Sequence, residues 1–124
     1  MKASEIMVGD LLKYTTPPYI QVASITMKKI GYHIRPNDPR IHYVRLCEVN
    51  PIPLTPEVLE KNGFEEYDGA YIFYTAHYDD CVNWCGTILK IGCDNGYMEL
   101  ADVQYVHELQ HCLRMCNINK TIKL

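Results

Sequence analysis

Residues 51–64 read Pro-Ile-Pro-Leu-Thr-Pro-Glu-Val-Leu-Glu-Lys-Asn-Gly-Phe and carry a full set of helix boundary signals. Thr55 suits the N-cap position, and Pro56 suits the first helical position, where a missing N–H group costs nothing. Glu57 lies near the positive end of the helix dipole, and Gly63 can end the helix in left-handed geometry. The stretch therefore predicts a short helix near the middle of the chain.

The segments on either side of this helix have the composition of β-strands. β-Branched and aromatic residues are concentrated in residues 11–14, 19–27 and 41–49 before the helix, and in residues 71–74, 87–93 and 97–100 after it. Prolines at 17–18 and 36–39 mark loops, and residues 68–69 and 94–96 are typical of turns. Asp102 can cap a last helix that continues to about Met115.

These elements are too short and too closely spaced for parallel βαβ units. They predict an α+β protein with a curled antiparallel β-sheet or small barrel, a short central helix and a C-terminal helix. The length of 124 residues fits a single domain over residues 1–124. No apolar run approaches the roughly 20 residues that span a bilayer, and the first residues lack signal-peptide features, so we expect a cytoplasmic protein. The six cysteines are then expected to be free thiols.

The charge is unevenly distributed along the chain, although the net charge is only −3. Residues 23–46 hold five Lys and Arg with Asp38 as the one acid, whereas residues 57–80 hold seven acids with Lys61 as the one base. The pattern favours separate solvated faces, because a chain of this net charge has no general attraction to nucleic acid. The alternative is a nucleic-acid-binding module that uses the basic strands, with Arg35, Arg40, Arg45 and Tyr43 as candidate binding residues.

Residues 107–111, His-Glu-Leu-Gln-His, match the zinc-peptidase pattern H-E-x-x-H. On a helix, His107 and His111 could both bind Zn²⁺ while Glu108 acts as general base. A helical wheel, however, places Val106 and its apolar neighbours on the core face and both histidines on a flank toward solvent. The favoured interpretation is a surface histidine pair without a catalytic or metal-binding role.

A third zinc ligand has no support from spacing. The 13 residues after His111 contain no His, Asp or Glu, and no spacing rule favours the upstream candidates His77, Asp79, Asp80, Cys81 and Cys85. Both cysteine pairs, 81/85 and 112/116, are C-x₃-C rather than the C-x₂-C of zinc knuckles. We therefore expect no cofactor and no catalytic residue, and zinc metallopeptidase remains the least favoured of the alternatives.

Three blocks of the chain resemble an uncharacterised family of short proteins of Bacteroidetes genomes and prophages. They are the opening residues 1–6 with 8–11, the Pro-Ile-Pro-Leu-Thr to Asn-Gly-Phe block at 51–64, and Tyr-Val-His-Glu-Leu-Gln at 105–110. Members of that family commonly have Gln and Asn where this chain has Glu108 and His111. The resemblance thus implies a phage or mobile-element origin and argues against a peptidase, and it brings no established activity.

The function that we expect is that of a non-enzymatic accessory or interaction protein, which acts on an unknown protein partner through its surface. The motivating feature is the tyrosine-rich segment 71–78, Tyr-Ile-Phe-Tyr-Thr-Ala-His-Tyr. Tyrosine combines a large apolar ring with a hydroxyl that can remain hydrated, and it is enriched at interfaces. A sheet edge half-covered by helices would explain the same tyrosines.

Overall fold

The computed structural model describes residues 1–75, 81–93 without the side chain of residue 93, and 96–124. Contacts divide the chain into two compact units, residues 1–52 (unit 1) and residues 53–124 (unit 2). The single domain expected over residues 1–124 stays a prediction. Three candidate ligands, His77, Asp79 and Asp80, lie outside the described residues, as do Tyr78 and most of the turn expected at 94–96.

Unit 1 is built on a four-stranded antiparallel sheet in sequence order. Its strands are β1 (Leu11–Lys13), β2 (Tyr19–Ile25), β3 (Lys29–Tyr32) and β4 (His42–Arg45), and 3₁₀ turns lie at Ala3–Glu5 and Leu46–Glu48. One face of the sheet forms the core, with the buried residues Leu12, Ile20, Val22, Ile30, Tyr32 and Val44. A backbone bridge joins Lys13 to Asn50, with N–O distances of 2.8 and 3.0 Å.

Strand β3 was not predicted, and strand β2 ends at Ile25 rather than at the predicted residue 27. Thr26 ends β2, because its Oγ1 accepts a hydrogen bond from the backbone N–H of Lys29 at 3.0 Å and so closes a tight turn. Side chains of Thr compete in this way with strand pairing for backbone groups. The chain then returns as β3, which pairs with both β2 and β4.

The described residues of unit 2 form two helices and a five-stranded antiparallel sheet, again in sequence order. Helix α1 (Pro56–Lys61) is followed by β5 (Glu65–Tyr67), β6 (Ala70–Tyr74), β7 (Cys81–Cys85), β8 (Ile88–Cys93), β9 (Gly96–Asp102) and helix α2 (Val106–Met115). The prediction for α1 is confirmed: Thr55 Oγ1 accepts a hydrogen bond from Val58 N at 3.3 Å, and Gly63 has φ of +85°.

Helix α2 begins at Val106, so the predicted start after Asp102 is wrong. Asp102 is instead the last residue of β9, where it pairs with Ile88. The indole Nε1 of Trp84 donates to the carbonyl oxygen of Val103 at 2.9 Å, which fixes the connection between β9 and the helix. Tertiary pairing has therefore overridden the local capping preference of an Asp residue.

The α+β class, with antiparallel strands, a short central helix and a C-terminal helix, is confirmed. In the described parts of the chain the strands form two sheets rather than one, and neither is closed into a barrel. The predicted curl of the sheet stays a prediction. In the part of the chain that the structure describes, no helix has the length and apolar character needed to cross a membrane.

Candidate functional site

Helix α2 places His107 and His111 one turn apart, with their ring centroids separated by 5.6 Å and the rings edge-on at 79°. The ring of Tyr105 stacks on His107, with centroids 5.9 Å apart and an interplanar angle of 19°. His107 is only 6% exposed, so the predicted surface position of this residue is wrong. The helical wheel treated only the aliphatic residues as core. It did not include Tyr105, which lies one position before the helix and packs on the imidazole of His107.

Glu108 has a structural task at the start of α2. Its Oε1 accepts hydrogen bonds from the backbone N–H groups of Gln104 and Tyr105, both at 3.0 Å. Backbone N–H groups at a helix start lack partners within the helix, and a Glu at this position commonly supplies the acceptor. The carboxylate that a peptidase would need as general base is thus engaged by the two backbone N–H groups that immediately precede α2.

Within the described residues, the geometry around this motif gives no assembled metal centre. Among residues 1–75, 81–93 and 96–124, no group of three or more His, Cys, Asp and Glu side chains is placed to hold a metal ion. A catalytic zinc needs three protein ligands. What the described residues offer is a pair of histidines beside a capping carboxylate.

Two of the candidate arginines of unit 1 come together in the loop after β3, where Arg35 and Arg40 both line a small cleft of about 460 Å³. The Nε atom of Arg40 lies 3.3 Å from Asp38 Oδ1. Arg45 lies on β4 and donates to Glu48 Oε1 at 2.7 and 3.0 Å.

The electrostatics of these ion pairs follow from their hydrogen bonds. The pKa of Asp38 is lowered, chiefly by the hydrogen bond from the backbone N–H of Arg40. The pKa of Glu48 is lowered by the guanidinium of Arg45, whose own pKa is raised by the same contact. Both carboxylates therefore remain ionised at neutral pH. The Arg45 side chain is 69% exposed, and an exposed ion pair of this kind contributes little to stability, whereas the Asp38 side chain is only 11% exposed.

Opposite the core, the sheet of unit 1 carries tyrosines and cations on a face that we call the open face of unit 1, comprising Lys13, Tyr19, Lys29, Gly31, Tyr43 and Arg45. Cross-strand partners on this face are Lys13 with Tyr19, Lys29 with Arg45, and Gly31 with Tyr43. Tyr19 is 48% exposed and Tyr43 is 59% exposed. Tyr43 and Arg45, both predicted candidates, thus share a surface, whereas Lys13, Tyr19 and Lys29 were missed because their grouping depends on strand register.

Gly31 lets the ring of Tyr43 lie close to the sheet. A Cβ atom at position 31 would come within 2.2 Å of Ser24 Oγ and within 3.3 Å of Tyr43 Cε1. Only glycine leaves that space free. Tyr43 therefore packs across β3 and still exposes more than half of its surface.

Unit 2 contains a cleft of about 760 Å³ between the ends of its strands and the segment after α2. Phe73 and Ile91 line it from the strands, and Cys116, Ile118, Lys120 and Lys123 line it from the other side. The Nζ atom of Lys120 lies 4.4 Å from the centroid of the Phe73 ring, which is a cation–π contact.

The thiols of Cys112 and Cys116 are poor nucleophiles at neutral pH. Burial raises the pKa of Cys112, with smaller contributions from Cys116 and Glu108, and burial alone raises the pKa of Cys116. A thiol must ionise before it attacks an electrophile or binds a metal. These two residues therefore behave as small apolar side chains in the packing of unit 2.

Comparisons of the chain with protein-family models, with curated proteins and with solved structures give no match. The resemblance to a Bacteroidetes prophage family stays a prediction, and so does a mobile-element origin.

Proposed function

We propose that the protein acts by binding rather than by catalysis, and that the open face of unit 1 binds single-stranded nucleic acid. The observation that carries this proposal is the grouping of two exposed tyrosine rings, Tyr19 and Tyr43, with three cationic side chains on one sheet face. Aromatic side chains stack on bases, and Lys and Arg neutralise phosphates. Sheet faces with this combination suit single strands, whose bases are free to stack.

The division of charge between the two units supports the same function. Unit 1 holds seven Lys and Arg against four Asp and Glu, whereas unit 2 holds five against eleven. The net charge of −3 for the whole chain therefore conceals a basic unit. Local potential, rather than whole-chain charge, attracts a polyanion to a surface.

The ion pair between Arg45 and Glu48 does not prevent phosphate binding. The Arg45 side chain is 69% exposed, and hydrated ion pairs of this kind contribute little to stability. Arg45 can therefore leave Glu48 for a phosphate oxygen. Arg35 and Arg40, in the loop between β3 and β4, could contact further phosphates of a longer strand.

The spacing of the two rings suggests how a strand would lie. Tyr19 is on β2 and Tyr43 is on β4, and the register offsets them: Tyr43 pairs with Gly31, and Gly31 pairs with Ser24, five positions along β2 from Tyr19. The two backbones are therefore separated by roughly 10 Å across the strands and by about 16 Å along them. A single strand of several nucleotides that runs diagonally over the sheet can stack one base on each ring. A duplex cannot do this, because its bases are already stacked on each other.

The test is fluorescence anisotropy with labelled single-stranded DNA and RNA of mixed sequence, with a duplex of the same sequence as competitor. Three phosphate contacts predict that log K falls with log salt concentration with a slope of about −2 for a single strand. The double variant Tyr19→Leu/Tyr43→Leu should lose most of the affinity. Tyr67→Leu, which changes a 74% exposed tyrosine of unit 2, is the matched control.

Absent binding, binding that salt does not weaken, or equal losses in the control variant would each contradict the proposal. A preference for the duplex over the single strand would also contradict it, because stacking on the two rings would then not contribute.

A second candidate function is protein binding by unit 2. Three exposed tyrosines, Tyr67, Tyr74 and Tyr97, share one face of the five-stranded sheet, which we call the tyrosine face of unit 2. Tyr74 and Tyr97 lie at the two ends of one row of cross-strand partners. Tyr67 lies on the same face because side chains alternate between faces along each strand. Of the aromatic segment 71–78, the structure describes residues 71–75, and among these Tyr74 contributes, whereas Tyr71 contacts Trp84 and Phe73 contacts Phe64.

Strand β9 suggests the chemistry of such a partner. Among the described residues it is an edge strand, nearly all of its residues are exposed, and it carries Glu99 and Asp102 but no base. An extended basic segment of another protein could add a strand to this edge. Titration of ¹⁵N-labelled protein with a peptide of alternating Lys and Val should shift β9 amides. Shifts elsewhere, or none, would contradict this candidate, as would self-association through β9.

A further inference from the structure

We infer that the cleft of unit 2 is a binding site for a small organic anion with an apolar body. Its walls combine an apolar floor with two ammonium groups, and its volume of about 760 Å³ is that of a small-molecule site. Both proposed macromolecular surfaces lie elsewhere, so this inference does not depend on them.

The apolar side of the cleft consists of Phe73, Ile91 and Ile118. Phe73 is half-buried and packs against Phe64, with ring centroids 5.4 Å apart. An aromatic or aliphatic ligand body placed here would replace water on these side chains, which is favourable in proportion to the apolar area covered.

The charged side of the cleft consists of Lys120 and Lys123, and none of the described lining residues is acidic. Lys120 is held over the Phe73 ring, 4.4 Å from its centroid. Its pKa is lowered by burial and by the neighbouring charge of Lys123. An anion in the cleft would oppose both effects, because it offers the partly buried ammonium group a counter-charge.

Polar side chains complete the lining. Asn117, Asn119 and Thr121 alternate with Ile118 and Lys120 along the segment after α2. Amide and hydroxyl groups can donate to the oxygens of a carboxylate or phosphate. A few polar groups set around an apolar floor are typical of ligand sites and fix the orientation of the ligand.

The segment that forms this wall is fixed before any ligand arrives. The N–H of Ile118 donates to Leu113 O at 2.8 Å, and the N–H of Lys123 donates to Asn62 Oδ1 at 2.7 Å. Between these anchors, Ile122 is only 4% exposed. A wall held at both ends loses little further freedom on binding, which favours affinity.

The experiment uses the full chain and three probes: 1-naphthoate, its neutral counterpart 1-naphthamide, and inorganic phosphate. Binding is measured by calorimetry and by ¹⁵N chemical shifts. We expect naphthoate to bind with shifts confined to the cleft residues, and both naphthamide and phosphate to bind at least tenfold more weakly. Lys120→Met should reduce naphthoate affinity about tenfold, since one charge-assisted contact is worth roughly that much.

Lys120→Arg should restore most of the affinity, because it retains the charge. Lys28→Met, which removes an exposed lysine of unit 1, is the matched control and should change nothing. Lys123→Met repeats the test at an exposed position, in case Lys120→Met reduces folding. Equal binding of naphthamide, no effect of either cleft variant, no binding at millimolar naphthoate, or shifts outside the cleft would overturn the inference.

Discussion

The side-chain amide of Asn62 forms two hydrogen bonds with the backbone of Lys123, one as donor and one as acceptor. Asn62 Nδ2 donates to Lys123 O at 2.7 Å, and Lys123 N donates to Asn62 Oδ1 at 2.7 Å. The same amide nitrogen donates to Val58 O, also at 2.7 Å. This one amide, in a residue that is only 5% exposed, therefore connects the end of α1 to the segment after α2 that lines the cleft.

Replacing this amide should both destabilise the protein and release the segment. Asn62→Ala leaves the N–H of Lys123 without its acceptor, which we expect to lower the free energy of unfolding by about 1–3 kcal/mol. Urea denaturation measures the loss, and hydrogen exchange should show faster exchange at Lys123. Asn119→Ala, at an exposed position of the same segment, should have little effect. Equal effects of the two variants would contradict the role given to Asn62.

Glu108 should prove to be a helix cap. Glu108→Ala removes the acceptor of two backbone N–H groups and is expected to cost about 1 kcal/mol of stability, as loss of a helix cap typically does. Glu108→Gln keeps an acceptor oxygen and should retain most of the stability. Thermal and urea unfolding of both variants compare these effects. If zinc stabilised the parent and Glu108→Gln abolished a peptide cleavage activity, the metallopeptidase alternative would return.

Gly31→Ala should damage the open face of unit 1, because the added Cβ would displace Ser24 and Tyr43. Overpacking of this kind typically costs about 1–3 kcal/mol of unfolding free energy. Oligonucleotide affinity should fall at the same time, by an amount comparable to the loss in Tyr43→Leu. Tyr43→Phe retains the ring and should bind almost as the parent does. Unchanged affinity in Gly31→Ala would mean that the position of the Tyr43 ring does not matter.

Alkylation by iodoacetamide should separate two classes of cysteine. Cys47 and Cys85 are exposed, whereas Cys112 is buried and Cys116 is partly covered. Since burial raises the pKa of Cys112 and Cys116, their thiolate fraction at neutral pH is reduced, and their modification should be slow and should accelerate as the pH rises. Peptide mapping by mass spectrometry measures each rate. Early modification of Cys112 in the folded protein would contradict the packing of α2.

The parts of the fold that sequence predicted are those with local causes. Thr55, Pro56 and Gly63 act within a few residues of each other, so α1 follows from its own boundary signals. The start of α2 did not follow, because Asp102 pairs across the sheet with Ile88, and no local signal reports that pairing. Strand β3 was not predicted either, because it contains Gly31, and glycine is a residue type that is depleted in strands.

The candidate sites show the same limit. Tyr43 and Arg45 are two residues apart on one strand, so their common face could be predicted by alternation alone. Lys13 and Tyr19 join them only through the strand order. The cleft could not be predicted from the sequence, because Phe73 and Lys120 are 47 positions apart and come into contact only in the folded chain.

The unequal charge of the two units has a consequence for handling the protein in solution. Copies that are basic in one half and acidic in the other attract one another when few counterions are present, and the Debye length grows to about 30 Å at 0.01 M salt. Concentrated samples dialysed into dilute buffer should therefore become turbid. They should clear when salt is restored, because the added salt screens the attraction and raises the solubility of the protein. The same chain should also be retained on both cation- and anion-exchange resins near neutral pH.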